Sequence, residues 1–283
     1  FAKKNNIKLI SDFRDMWPDI IDIYLKGILN LLFKPFYFWM NYKIIKIRNN
    51  SNFIISVSKG MLKWILNKGK NYKRSKFIYI SHTIKKLPYS KTTKKINLVY
   101  SGVLGTANKM SKFLEMFIDL NPEIRDRFNI NIAGYGDNYP LIKNRFQENE
   151  NIKFMGWLNQ KQLAKLYAIS SYGLVTYDSR IDFMNNITNK VSEYLGYNLP
   201  IITTLKGESF KMLKSKDCAL YCDLNNKKKF EEIFLKLIHY KSALKNNQNP
   251  RKLFLKYFDN EKNNLIYYNI INNYLNEIPP KKI

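Results

Sequence analysis

Carboxylates are scarce in this chain of 283 residues: 22 Asp and Glu stand against 48 Lys and Arg, a formal net charge of +26. Such a balance points to nucleic acid, an anionic membrane surface or anionic substrates, with biased amino-acid usage adding lysine and asparagine. Arginine is scarce as well. Only 8 of the 48 basic residues are Arg, the side chain that grips bases and phosphates in pairs of bonds, and the lysines are spread along the chain. Nucleic acid is therefore not the expected partner. The 2 cysteines, Cys218 and Cys222, have no histidine or second cysteine pair nearby, which excludes a disulfide framework and a Cys/His metal site. They read as two reduced, half-buried thiols. Also missing is any uncharged apolar run near the ~20 residues that a membrane-spanning helix needs. The greasiest stretch, 20–47, is interrupted by Lys26, Lys34, Pro35, Lys43 and Lys46. It does not span. The chain opens on Phe1 with no basic-apolar-small leader pattern and reads as cut at the N-terminus, with an upstream portion missing.

What is present is enough for a core: 45% of the residues are hydrophobic, and the length suits two domains. Residues 1–93 read as an incomplete α/β unit with strands at 7–11, 51–58 and 76–80, and the basic stretch 85–95 as a linker. Residues 94–258 alternate short strands, at 96–101, 129–133, 152–154, 172–177, 199–204 and 219–222, with helical periodicity. That alternation calls for a parallel sheet wound by right-handed crossovers. Phe230, Ile233, Phe234, Leu237 and Ile238 carry helical spacing that suits core packing, Asn249-Pro250 breaks that helix, and 259–283 reads as a last helix and a frayed tail. His82, alone in a loop, reads as a surface or packing residue.

Three strands end in glycine turns: Ser101-Gly102-Val103-Leu104-Gly105, then Ala133-Gly134-Tyr135-Gly136, then Phe154-Met155-Gly156. Glycine there lets backbone N–H groups approach phosphate oxygens, and Lys109 adds charge at the next helix start. The stretch 186–208, NITNKVSEYLGYNLPIITTLKGE, reads as loop, short helix, buried strand and loop. Thr188 or Asn189 is a good N-cap, so Lys190 falls in the first turn and Glu193 one turn on, at the end with free N–H groups and the positive dipole. An anion belongs there.

Asn189, Lys190, Glu193, Tyr194, Leu195, Pro200, Ile201, Ile202, Gly207 and Glu208 resemble the nucleotide-sugar segment of retaining GT-B glycosyltransferases, the group 1, family-4-like branch. With the glycine turns in their order, the resemblance covers the whole C-terminal domain of that family. Two further stretches, Asp12-Phe13-Arg14-Asp15-Met16-Trp17-Pro18-Asp19 and the strand-helix at 51–66, are similar to its N-terminal domain. The resemblance implies an α/β GT-B fold of two Rossmann-like domains facing a cleft, the first incomplete: 1–93 on the acceptor side, 94–258 binding the donor, and a helix at 259–283 crossing back. It implies a hexosyltransferase-type enzyme that retains configuration, with a nucleotide-diphosphate-sugar as co-substrate and a lipid-linked or saccharide acceptor, in bacterial surface polysaccharide synthesis. By the same resemblance Arg14, Asp15, Lys190 and Glu193 are catalytic, Glu193 taking the ribose hydroxyls and Arg14 and Asp15 facing the acceptor. Gly102, Gly105, Lys109, Gly134, Gly136, Gly156, Asp178, Asn189, Lys190, Glu193 and Glu208 line the donor. Thr188 replaces the usual Pro, and Asn185 stands where many relatives have a Glu that touches the sugar. No Asp-x-Asp pair occurs, so no metal or other cofactor is expected.

The aromatic, lysine-bearing run at 20–47 fits two readings, a basic amphipathic helix on an anionic bilayer and a helix packed on its own sheet. The first accords with a cytoplasmic enzyme peripheral to the inner face of the cytoplasmic membrane. The rival for the whole chain is a non-catalytic basic membrane or RNA binder, or an inactive remnant of a transferase.

Overall fold

The computed structural model describes residues 1–2, 4–21, 25, 27–69, 74–85, 94–239 and 247–276. Most of the stretch read as a linker, and the tail at 278–283, lie outside them. The described elements of the first half are β1 (Ile10–Phe13), α1 (Ile28–Asn50), β2 (Phe53–Ser56), α2 (Lys59–Asn67), β3 (Ser75–Phe77), β4 (Ile96–Ser101), α3 (Met110–Ile118), α4 (Pro122–Arg125) and β5 (Phe128–Ala133). There follow α5 (Tyr139–Phe146), β6 (Ile152–Gly156), α6 (Gln160–Ala168), β7 (Tyr172–Val175), α7 (Ile181–Met184), α8 (Asn189–Gly196), β8 (Ile201–Thr203), α9 (Glu208–Lys214), β9 (Ala219–Tyr221), α10 (Lys227–His239), α11 (Asn249–Tyr257) and α12 (Asn260–Asn276). Two compact units result. One is Phe1–Thr83 with Arg180–Ile187 and Tyr257–Ile283, and the other is Ile84–Ser179 with Thr188–Lys256. Residues 180–187, placed by their position in the sequence among the second domain, cluster with the first.

In the first unit β1, β2 and β3 form a parallel sheet in that order. Because side chains alternate across a strand, Ile54 and Ile55 enter opposite cores. Ile54 joins Phe13 and Ile65, with Ile44 of α1 and Leu62 of α2 packed on them, while Ile55 joins Ile78 and Ile270 of α12. The sheet is thus covered by α1 and α2 on one face and by α12 on the other. β1 begins three residues later than its apolar run, since pairing starts at Ile10 opposite Phe53 and Ile7 is exposed. The buried Arg48 of α1 donates to the carbonyls of Ile65 (3.0 Å) and Leu66 (3.0 Å), satisfying the open end of α2.

The second unit holds a parallel six-stranded sheet in the order β6-β5-β4-β7-β8-β9. All six residues of β4 are buried, as a central strand covered on both faces requires. Helices α3 and α10 seal one face through interlocking rings, Phe234 lying 4.9 Å from Phe128 and 5.6 Å from Phe117. The winding reverses between β4 and β7, the point at which open α/β sheets leave a crevice at the carboxyl ends of their strands. Strand β7 stops at Val175, short of residue 177, because Thr176 and Asp178 turn to pair with the 107–109 loop: Lys109 N donates to Thr176 O at 2.8 Å and Asp178 N to Ala107 O at 3.0 Å. Asn249-Pro250, read as a break, opens α11 with Pro250 in its first turn, where a missing N–H is harmless. Cys218 and Cys222 are both buried and unpaired, and burial pushes both thiols up in pKa.

Candidate functional site

The crevice is built outward from the end of β4. Ser101, the last residue of that strand, donates its backbone N–H to the Tyr194 hydroxyl at 3.0 Å, and its own hydroxyl accepts from Tyr167 at 2.7 Å. Tyr194 is fully buried on α8, and it fits there only because β7 carries Gly173. A Cβ at Gly173 would lie 2.2 Å from the Tyr194 ring. Gly173→Ala is accordingly expected to destabilise the chain by about 1–3 kcal/mol or more, read as a lowered denaturant midpoint, and to loosen α8. An unchanged midpoint would show that the ring can move aside.

With α8 pinned in this way, Lys190 in its first turn reaches over the end of β4. Its Nζ lies 3.8 Å from the centre of the Tyr100 ring and 5.5 Å from that of Tyr177. It also rests on Gly102, where a Cβ would fall 2.6 Å from Nζ. Burial pushes the Lys190 ammonium down to about 7, against the pull of the Glu193 carboxylate, which favours the charged form. Glu193 is half-buried. Burial raises its pKa, and the Tyr167 hydroxyl and Lys190 act the other way by stabilising the anion.

The glycine turns lie side by side next to this pair. Gly102 N donates to Ala133 O at 2.9 Å, and Gly134 N donates to Gly156 O at 2.6 Å. Gly134, at φ +132°, allows backbone to lie on backbone, since a Cβ there would sit 2.0 Å from Gly102 O. Gly136 faces Leu104 in the same close manner, whereas Gly105 and Gly156 have open space where a Cβ would be. Their roles thus divide: Gly134 and Gly136 permit packing between the turns, and Gly105 and Gly156 leave room.

The remaining residues singled out from the sequence are more dispersed. Lys109 is the cap residue of α3 and is ion-paired with Asp178 at 3.2 Å. Both are close to half exposed, so the pair is worth at most about 1 kcal/mol. Asn189 is exposed at the start of α8, and Glu208 opens α9 after Gly207. Thr188 occupies the cap position of α8 but makes no capping bond, and its hydroxyl is buried without a partner. Of the two N-cap candidates, Thr188 and Asn189, it is thus Thr188 that takes the position, but the first-turn amides receive no acceptor from its side chain. Arg14 and Asp15 belong to the first unit, beyond β1. Arg14 is exposed and pairs with Asp12 at 2.9 Å, which raises the Arg14 pKa further, and Asp15 is exposed. His82 is half-buried, with its Nε2 unpartnered and its pKa lowered by burial. Among the described residues no group of three His, Cys, Asp or Glu is close enough to hold a metal ion.

The sequence reading missed Tyr167 and Gly173, and it named Ser101 only as the start of a glycine turn. Tyr194 was visible within the Glu-Tyr-Leu match, but a partner on β4 was not, and Tyr167 had no local signal because its bond to Ser101 is closed by sheet topology.

A family model described as "Glycosyl transferases group 1" matches residues 95–239, just over half of the chain. The chain belongs to this family. Every residue of the crevice described above falls within the matched span, and the chain is a glycosyltransferase with the α/β fold of the GT-B type. No curated protein matches it. Among solved structures, Anabaena Alr3699/HepE in complex with UDP and glucose superposes with a TM-score of 0.66 at 10% identity, over 98% of this chain and 73% of that one. A mutant of S. aureus TarM in complex with fondaparinux, alpha-GlcNAc-glycerol and UDP gives 0.63 at 12%, over 82% and 46%. The lipopolysaccharide outer core galactosyltransferase WaaB in its apo form gives 0.59 at 14%, over 80% and 63%. At such identities the likeness establishes the fold of the family.

Proposed function

We propose that this glycosyltransferase moves a hexose from a nucleoside diphosphate sugar to a saccharide or lipid-linked acceptor, with retention of configuration, in the assembly of a bacterial surface polysaccharide. The observation that carries the reading is the placement of Lys190 and Glu193, one helical turn apart on α8, with the Lys190 ammonium lying on Gly102 in the turn that ends β4.

As the glycosidic bond loosens, negative charge grows on the departing diphosphate. Preorganised donors in a water-poor site stabilise such charge without rearranging at the moment of reaction. The amides of Asn189 and Lys190 at the start of α8 and the Lys190 ammonium are donors of that kind. Glu193 accepts from the two ribose hydroxyls and sets the nucleoside so that the diphosphate meets Lys190. Gly105 and Gly156 leave space for the donor, Lys109 adds charge at the rim, and Glu208 and Asp178 border the sugar. On the first unit Arg14 and Asp15 serve the acceptor. No metal ion or other cofactor has a part in this scheme.

HepE holds UDP and glucose, so a uridine diphosphate sugar is the first donor to try. Purified protein is incubated with a panel of uridine and guanosine diphosphate sugars and polysaccharide or lipid-linked acceptors, and the product's anomeric protons are read by NMR. Transfer from one donor with the anomeric configuration kept is the expected result. Inversion, or saturable binding of none of the donors, sinks the proposal.

A further inference from the structure

We propose that α1 docks the first unit onto an anionic lipid bilayer. From Tyr37 onward this helix packs by a stripe, Tyr37, Met40, Asn41, Ile44, Ile45 and Arg48, spaced at three and four residues, while the described side chains of the turns before it are exposed. Tyr37 donates to Asp19 at 3.1 Å, and Asn41 accepts from Lys68 at 2.9 Å. Opposite that stripe run Ile28, Leu32, Phe36 and Trp39, then Lys43 and Lys46. Ile28 is 74% exposed, Leu32 68% and Trp39 55%. From Ile28 to Phe36 the described side chains are exposed on every side of the helix, although most of them are apolar. A protein partner covers one stripe of a helix. A bilayer surface takes up a helix end from several sides at once, and that is what an apolar turn exposed all round requires.

The side chains are ordered as an interfacial helix orders them. Apolar residues fill the first turns, Phe36 and Trp39 stack at 5.8 Å, and further along Lys43 lies 5.4 Å from the Trp39 ring and Lys46 5.9 Å from that of Tyr42. Trp and Tyr favour the headgroup level, and the lysine stems run along the rings while their ammonium groups stay in water. Charge specifies the kind of lipid. Between Asp22 and Glu115 the sequence contains no carboxylate, so nothing on α1 or α2 repels an anionic headgroup. No helix among the described residues is long and apolar enough to cross a membrane, so the contact is with one leaflet. The second apolar stripe of this unit, Leu265, Tyr268 and Ile271 on α12, lies over the other face of the sheet, and the one lysine of that helix, Lys262, stands next to the carboxylate Glu261. It takes no part.

The test is flotation of the full chain, without nucleotide, with vesicles of phosphatidylcholine alone or mixed equally with phosphatidylglycerol. Binding is expected to the anionic vesicles, to weaken roughly fivefold for each of Lys43→Gln and Lys46→Gln, and to fall as salt is raised from about 0.1 M to about 1 M. Phe36→Ser/Trp39→Ser is expected to lose binding at both salt levels while its circular dichroism and its affinity for a uridine diphosphate sugar stay at wild-type values. Those last readings keep a failure of docking separate from a failure of the donor proposal. Equal flotation of wild type and the double variant overturns the proposal. So does self-association of the wild type, abolished by the double variant and without vesicle binding, since α1 would then cover a second copy. Binding to polyuridylate that competes fully with vesicles and survives Phe36→Ser/Trp39→Ser overturns it as well.

Discussion

Above about pH 7 the affinity for a uridine diphosphate sugar is expected to fall about tenfold per pH unit, and in Lys190→Met this dependence is expected to vanish. The reason is the buried ammonium of α8. In the free protein burial brings Lys190 down to about 7. A diphosphate beside it favours the charged form, so its pKa rises in the complex, and binding above pH 7 takes up about one proton. Below pH 7 the lysine is charged in both states and contributes no slope. A sugar diphosphate is the right ligand, because its diester phosphates do not titrate in this range. Calorimetry in two buffers of different ionisation enthalpy at pH 8 counts the proton directly. A flat wild-type profile, or the same slope in Lys190→Met, removes the lysine from the phosphate site. Stability carries the same signature. The folded pKa lies below the ordinary value of 10.5, so the unfolded chain binds more protons between about 7 and 10.5. Unfolding free energy contributed by this group therefore rises with pH through that window, and Lys190→Met should flatten the rise.

Glu193→Ala is expected to weaken donor binding by roughly a hundredfold or more. Two hydroxyls bonded to an ionised carboxylate are worth about 1.5–3 kcal/mol each, and each ~1.4 kcal/mol is a factor of ten. The decisive control is a donor lacking its ribose 2′-hydroxyl. It should bind wild type more weakly than the natural donor, and bind Glu193→Ala no worse, since a coupling between two groups vanishes when either is removed. Equal weak binding of both donors by both proteins would mean that charge alone holds the nucleotide. Tyr167 enters here as the side chain that steadies the carboxylate against burial.

Much of this architecture is legible in local pattern. The strand at 96–101 is legible as a short, mostly apolar run, and the helix at 227–239 by the spacing of Phe230, Phe234 and Leu237, because such periods reflect the nearest neighbours along the chain. The apolar runs at 172–177 and 199–204 are longer than the strands they form, since strands there end where loops find hydrogen-bond partners elsewhere. Thr188 takes the cap position its residue type suits, yet its hydroxyl is buried without a partner and makes no capping bond. Residues 20–47 stay open between two readings in the sequence, because a helix that is exposed on all sides over its first turns and packs by one stripe over the rest satisfies neither pattern fully.

Amino-acid order by itself determined the alternation of strand and helix, the three glycine turns, the Lys-x-x-Glu spacing on one short helix and the acid-free basic stretch. Those are properties of neighbours, and one turn of helix suffices to express them. Tertiary structure decided that Ser101, Tyr167 and Tyr194 meet, that Gly173 makes room for a ring, and that Lys190 is driven toward neutrality. Each depends on segments dozens of residues apart being brought out of water together by the winding of one sheet, and desolvation is a property of a place in the fold that no stretch of sequence carries alone.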